Sequence, residues 1–174
     1  MGGSGYSEVY EAVLGNLERL GAFAVAAAGN DGLGVTGSPA NLPGTCAVGA
    51  VDAHDRVAEF SGGGAFAWSE DSVSVKPDLV APGAAICTAR PMAEAAELGD
   101  EPYETLDGTS LAAPHVAGVA ALLWQAFPEA QAGEIRRAIY ESCLQIGPAF
   151  HNMHSGRGLV RAPAALARLE RMPR

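Results

Sequence analysis

The sequence predicts an α/β domain built on a mostly parallel, doubly wound sheet between helical layers. Three observations carry that prediction. Apolar runs without alternation, at residues 22–28 and 45–51, suit strands buried on both faces. Segments with apolar residues at helical spacing precede and follow them. Glycine (22 residues) and proline (11 residues) punctuate nearly every junction, as tight connections require. With 174 residues, 48% hydrophobic and 18% charged, the chain suits one compact domain and not a disordered one.

Residues 8–20 put Val13, Leu14, Leu17 and Leu20 on one helical stripe with charges opposite, and Gly21 supplies a stop. The run 22–28 reads as a buried strand ending at Gly29-Asn30. A loop follows, marked by Gly32, Gly34, Gly37, Pro39, Asn41 and Pro43, and then the second buried strand at 45–51. Residues 52–60 read as a turn and a short strand, and 61–74, Gly-rich and then acidic, as a surface excursion. The prolines of Lys76-Pro-Asp-Leu-Val-Ala-Pro-Gly83 forbid a helix there, so that segment is extended. A short strand at 85–89 and an acidic exposed loop over 91–104 complete the middle of the chain.

From Gly108 the pattern strengthens. Val116, Val119, Ala120, Leu122, Leu123 and Phe127 give a helix that is apolar nearly all round, which predicts a central position; Pro128 ends it. Residues 131–143 form an amphipathic helix with Ile135, Ile139 and Leu144 inward and Arg136 and Arg137 outward. A turn and strand at 156–160 and a helix at 163–171 close the chain.

Composition also excludes functions. The net charge is −9 and Lys76 is the only lysine, so the chain does not suit a nucleic acid backbone. No stretch approaches the roughly 18 apolar residues of a membrane span. The first residues lack the basic start and apolar stretch of a signal peptide, and nothing else fixes a compartment. Cys46, Cys87 and Cys143 are far apart without a Cys-x-x-Cys pair, and read as small buried hydrophobes.

Two segments carry candidate chemistry. In Gly108-Thr-Ser-Leu-Ala-Ala-Pro-His-Val-Ala-Gly118 a serine stands where loop becomes helix, so its hydroxyl and N–H lie at the positive end of the helix dipole. Taken alone, Thr109 or Ser110 reads equally as a helix N-cap. In Ala27-Ala-Gly-Asn30 an asparagine follows a buried strand, where α/β sheets present binding groups, and its amide could stabilise an oxyanion. Taken alone, Asn30 reads as a turn residue.

Together with Gly2-Gly3, Ala47-Val-Gly-Ala-Val51, Phe60-Ser61, Lys76 to Gly83 and Gly156-Arg-Gly-Leu-Val160, in that order, these segments make the chain resemble the subtilisin-like serine proteases, the subtilases, to about residue 165. The resemblance implies that Ser110 is the nucleophile of a serine endopeptidase and Asn30 the side-chain donor of its oxyanion hole, beside the Ser110 N–H. It implies that Gly2, Gly3, Ala28, Gly29 and Gly37 wall the binding site of an extended peptide or protein substrate. Subtilases often bind calcium and are commonly exported, but no ligand set for a metal stands out in this sequence and no cofactor is expected.

The family's Asp-Ser/Thr-Gly and His-Gly-Thr-His motifs are absent from the 174 residues. In family order both precede the paired glycines. The resemblance therefore implies that residues 1–174 are the carboxyl-terminal half of a catalytic domain, inactive alone, with a second chain or an upstream segment supplying Asp and His. A sheet cut this way exposes an apolar edge that a partner must cover. None of His54, His115, His151 and His154 reads as a substitute base: His115 follows Ser110 by five residues and points roughly 140° away on a regular helix. Asp78 and Asp107 read as turn or hydrogen-bonding residues, and Glu94, Glu97, Asp100, Glu101 and Glu104 as a solvated acidic loop. The alternative is a non-catalytic module that keeps the cleft and binds peptides or a partner protein.

Overall fold

A computed structural model describes residues 3–4, 7–69, 72–92, 101–147 and 151–173. Among them the elements run β1 (Gly3–Ser4), α1 (Glu8–Arg19), β2 (Val25–Ala27), β3 (Gly37–Ser38), β4 (Cys46–Val51), β5 (Gly64–Ser69), β6 (Ser72–Lys76), β7 (Leu79–Pro82), β8 (Ile86–Ala89) and β9 (Tyr103–Leu106). Three helices follow: α2 (Thr109–Ala126), α3 (Ala132–Glu141) and α4 (Ala162–Glu170). The heart of the fold is a parallel sheet in the order β2-β4-β7, with Val25 beside Cys46 and Val48 beside Leu79. The α/β architecture read from the sequence is therefore the one present.

The two faces of the sheet separate by alternation along each strand. Cys46, Val48, Ala50, Leu79 and Ala81 face the helices and pack with Val116 and Leu123 of α2, Ile135 and Ile139 of α3, and Leu169 of α4. The opposite face carries a smaller cluster of Val51, Val80 and Leu159. β4 is buried along its whole length, which accounts for its unalternating sequence. Lys76, 2% exposed, donates from Nζ to Thr45 O at 2.9 Å and to Asp78 Oδ2 at 2.7 Å. Asp78 Oδ2 also accepts from Ala47 N–H at 2.8 Å, so the Lys-Pro-Asp segment ties the start of β4 to the start of β7.

Several elements differ from expectation. The segment 61–74 contains most of a hairpin: β5 and β6 pair antiparallel, with Phe66 opposite Ser74. Its leading glycines and central acids mask the alternation of Phe66 and Trp68 with small residues. The carboxyl end of the acidic loop is strand β9, paired with β8, while Glu94, Glu97 and Asp100 lie outside the described residues. Arg90 takes Glu104 as an ionic partner at 3.5 Å. Leu144 is exposed rather than inward, because α3 ends at Glu141 and the chain there turns to bridge Leu159. The apolar stripe of α1 faces solvent at Val13, Leu17 and Leu20, and α2 buries only the face that meets the sheet.

Candidate active site

β2 ends in Ala28 and then Gly29, whose φ of +110° turns the chain at the strand's carboxyl end and suits only glycine. That turn brings Asn30 against the start of α2. Asn30 Oδ1 accepts from the backbone N–H of Thr109 and from its hydroxyl, both at 2.9 Å. The same hydroxyl accepts from Gly29 N–H at 3.1 Å. Thr109, 1% exposed, thus fastens the strand end to the helix end through three bonds. Sequence reasoning treated Thr109 only as an alternative cap; a hydroxyl at the first helical residue was the available signal for this tie.

With Oδ1 held, the amide nitrogen of Asn30 is the end left to face outward. A Cβ added to Gly108 would lie 2.9 Å from Ser110 Oγ, 3.5 Å from Asn30 Nδ2 and 3.7 Å from Ser110 N. Three polar groups therefore surround one point that only a glycine leaves open. Gly108 itself is extended and unstrained, and its N–H donates to Gly83 O at 2.8 Å. Gly83 in turn has no room for a Cβ, which would meet Ala50 Cβ at 2.7 Å and Gly108 O at 2.8 Å. Close approach, rather than backbone freedom, accounts for both glycines.

Ser110 is exposed in the first turn of α2, where N–H groups have no acceptor within the helix and the dipole favours negative charge. Beneath it opens a cleft of about 450 Å³ whose lining includes Ala28, Gly29, Asn30, Gly37, Thr109 and Ser110. Gly37 lies in β3, which pairs with β1 so that Gly3 stands opposite Ser38. The structure thus gathers Ser110, Asn30, Ala28, Gly29 and Gly37 around one cleft, with Gly3 on the neighbouring strand. Gly2 lies outside the described residues. Chemically, such a site can hold a carbonyl oxygen between two N–H donors and present a hydroxyl to its carbon.

No described side chain is hydrogen-bonded to Ser110 Oγ. His115 Nδ1 bonds Leu111 O at 2.7 Å and lines, with Pro114, Gly118, Leu122 and Ile86, an apolar groove of about 690 Å³ between α2 and β8. His54 and His154 are exposed in turns closed by Asp52 and Asn152. His151 is partly buried, and that burial, helped by the Arg157 charge, holds its imidazole below the ordinary pKa. Asp107 Oδ1 accepts from Ala85 N–H at 2.7 Å, and Asp78 belongs to the Lys76 pair. Each carboxylate thus has a structural partner. Among the described residues no three His, Cys, Asp or Glu side chains converge as a metal ion would need, and no helix is long and apolar enough to cross a membrane.

Comparison with known proteins identifies the family. The chain is 31% identical to subtilisin DY of Bacillus licheniformis over 169 residues, covering 95% of this chain and 54% of that protein. It is 34% identical over 165 residues to alkaline elastase YaB of Bacillus sp. (strain YaB), covering 95% of this chain and 38% of that protein. Against subtilisin Savinase of Lederbergia lenta it is 34% identical over 165 residues, with 95% and 54% covered. The chain therefore spans about half the length, or less, of the relatives it matches. The model of the subtilase family matches residues 1–158, and the chain belongs to the subtilase family.

Proposed function

We propose that residues 1–174 form the nucleophile-bearing half of a subtilisin-like serine endopeptidase domain. The observation that carries the reading is the convergence of Ser110 Oγ, Ser110 N–H and Asn30 Nδ2 around the space over Gly108. In this mechanism an extended peptide lies along the cleft beside Gly3, Ala28, Gly29 and Gly37. Ser110 Oγ attacks the scissile carbonyl, and the two N–H donors hold the oxygen as it becomes an oxyanion. Thr109 keeps those donors in place by holding Asn30 Oδ1.

A serine hydroxyl needs a base to take its proton, and the base needs an orienting carboxylate. Neither group meets Ser110 among the described residues. The chain is accordingly inactive alone, and a second chain or an upstream segment brings Asp and His to the exposed side of α2. The apolar groove beside Ser110 and the outer edge of β2, unpaired among the described residues, suit such a partner. The test is reconstitution. The chain alone should neither hydrolyse a peptide substrate nor react with a serine-directed phosphonate. Co-expression with an Asp- and His-bearing subtilase segment should give turnover that Ser110→Ala removes. Turnover by the chain alone that disappears in Ser110→Ala would overturn the dependence on a partner.

A second reading is a non-catalytic peptide-binding module. It is favoured by one observation: the cleft is walled largely by β2 and its following loop, and so exists without any base. Peptide binding that persists in Ser110→Ala, with no phosphonate labelling even after reconstitution, would select it.

A further inference from the structure

The segment 151–158 runs along the β7 edge of the sheet and is pressed against its neighbours backbone to backbone. Asn152 N–H donates to Gly156 O at 3.1 Å and Gly156 N–H to Asn152 O at 2.9 Å, while Asn152 Oδ1 accepts from the N–H groups of His154 and Ser155. Arg157 N–H donates to Asp78 O at 2.9 Å, just before β7. Gly156 leaves no room for a Cβ beside the Asp78 carbonyl, nor does Gly63 beside Met153 O, nor Gly158 beside the Leu144 carbonyl. The segment is thus wedged between the start of the β5–β6 hairpin, the sheet and the exit of α3.

His151 opens this segment at φ +55°, a left-handed conformation that a histidine keeps where its surroundings fix it. Its imidazole reaches the Val75 backbone of β6. Nε2 is sealed from solvent and has no hydrogen-bond partner among the described residues. A neutral ring with its proton on Nδ1 tolerates that position, because Nε2 is then only a lone pair. A second proton would make Nε2 a buried donor without an acceptor. The charged groups that act on the ring, among the described residues, are Arg157 of the segment itself, Lys76 of β6 and Asp78 before β7. Asp78 Oδ2 already accepts from Lys76 Nζ and Ala47 N–H, so an imidazolium would meet Arg157 and Lys76 as like charges and an anion that is already shared.

We propose that His151 is an acid-sensitive latch: protonation of its ring releases residues 151–158 and opens the β7 edge. Burial and the Arg157 charge hold the imidazole below its ordinary value of 6.5. The latch is therefore fully closed above 6.5 and weakens as pH falls from there through the folded-state value. The inference is independent of the peptidase reading, and the chain alone tests it. Amide hydrogen exchange is followed at about pH 7.5 and about pH 5, on either side of the imidazole range, with each rate divided by its intrinsic rate. The Val80, Leu159 and Val160 N–H groups, which close this edge, should lose protection in acid relative to those of Val48 and Ala50 in β4. His151→Asn suits left-handed φ and carries no titrating ring, so it should abolish that loss. His154→Asn, at an exposed position of the same turn, should leave the loss in place. Protection ratios that stay equal at the two pH values, or an acid loss that survives His151→Asn, overturn the latch. Should His151→Asn fail to fold, the ring-proton titration of the native chain decides. A His151 midpoint below 6.5 that moves together with the Val160 amide signal supports the latch, and a midpoint at or above 6.5 overturns it.

Discussion

The two edges of the parallel sheet are finished in opposite ways. On the β7 side, Val80 N–H donates to Gly158 O and Val80 O accepts from Val160 N–H, both at 3.0 Å, so the 156–160 segment closes the ladder. Leu159 then bridges onward to Leu144 and completes the small cluster on that face. On the β2 side no described strand pairs and the preceding helix turns Leu17 and Leu20 to solvent, and toward β8 the helix α2 leaves Leu122 exposed beside an apolar groove. Parallel strands are ordinarily covered on both faces and flanked by neighbours. The difference teaches that one side of this chain carries its own core, while the other carries surfaces suited to being covered.

The largest effect expected from this contrast lies at the closed edge. Gly158 has φ +113°, and a Cβ there would overlap the carbonyl of Leu144. Gly158→Ala should therefore cost about 3–4 kcal/mol, combining strain with loss of the Val80 pairing. Urea unfolding would read it; a loss below about 1 kcal/mol would mean the edge closes without that turn.

An effect of similar size separates two neighbours on α2. Leu123 is 2% exposed within the core, and Leu122 is 58% exposed in the groove. Leu123→Ala should cost about 2–5 kcal/mol, and Leu122→Ala less than about 0.5 kcal/mol in the isolated chain. Equal losses would show that the groove side is already packed, and the contrast between flanks would fail.

The smallest effect concerns the thiols and reads protection directly. Burial pushes the Cys143 thiol up to about 12 and the Cys46 thiol higher still, while Cys87 is exposed on β8. At pH 8 a maleimide should therefore modify Cys87 in the native chain and reach Cys46 and Cys143 only on unfolding. Because their folded pKa values are raised, their contribution to stability is complete below the ordinary thiol pKa of 9.0. For Cys143 it is lost as pH rises from there through about 12. Rapid native labelling of Cys143 would show that the β4–α3 side opens as readily as the other.

Much of this arrangement was legible in residues. The uninterrupted apolar run around Ala47 and Val48 announced a strand buried on both faces, and Pro128 marked where α2 ends within a residue or two. The motifs around Asn30 and Ser110 brought together segments that the fold joins through Thr109. What stayed hidden depends on what a segment packs against. The amphipathic stripe of α1 states that Leu17 and Leu20 need a cover, but not whether this chain supplies it. The outward turn of Leu144 was hidden for the same reason, since helical spacing continues past Glu141 while the backbone does not. Strand β9 is exposed at Tyr103, Thr105 and Leu106, so burial leaves no alternating imprint on its sequence.

The open space over Gly108 has a kinetic consequence. A methyl group at residue 108 would sit where a carbonyl oxygen has to go under the proposed mechanism, 2.9 Å from Ser110 Oγ. Being covalently attached, it would compete at a fixed and very high local concentration that no amount of added substrate dilutes. Glycine at this position is thus the absence of a built-in inhibitor, and the smallest possible side chain would be enough to create one.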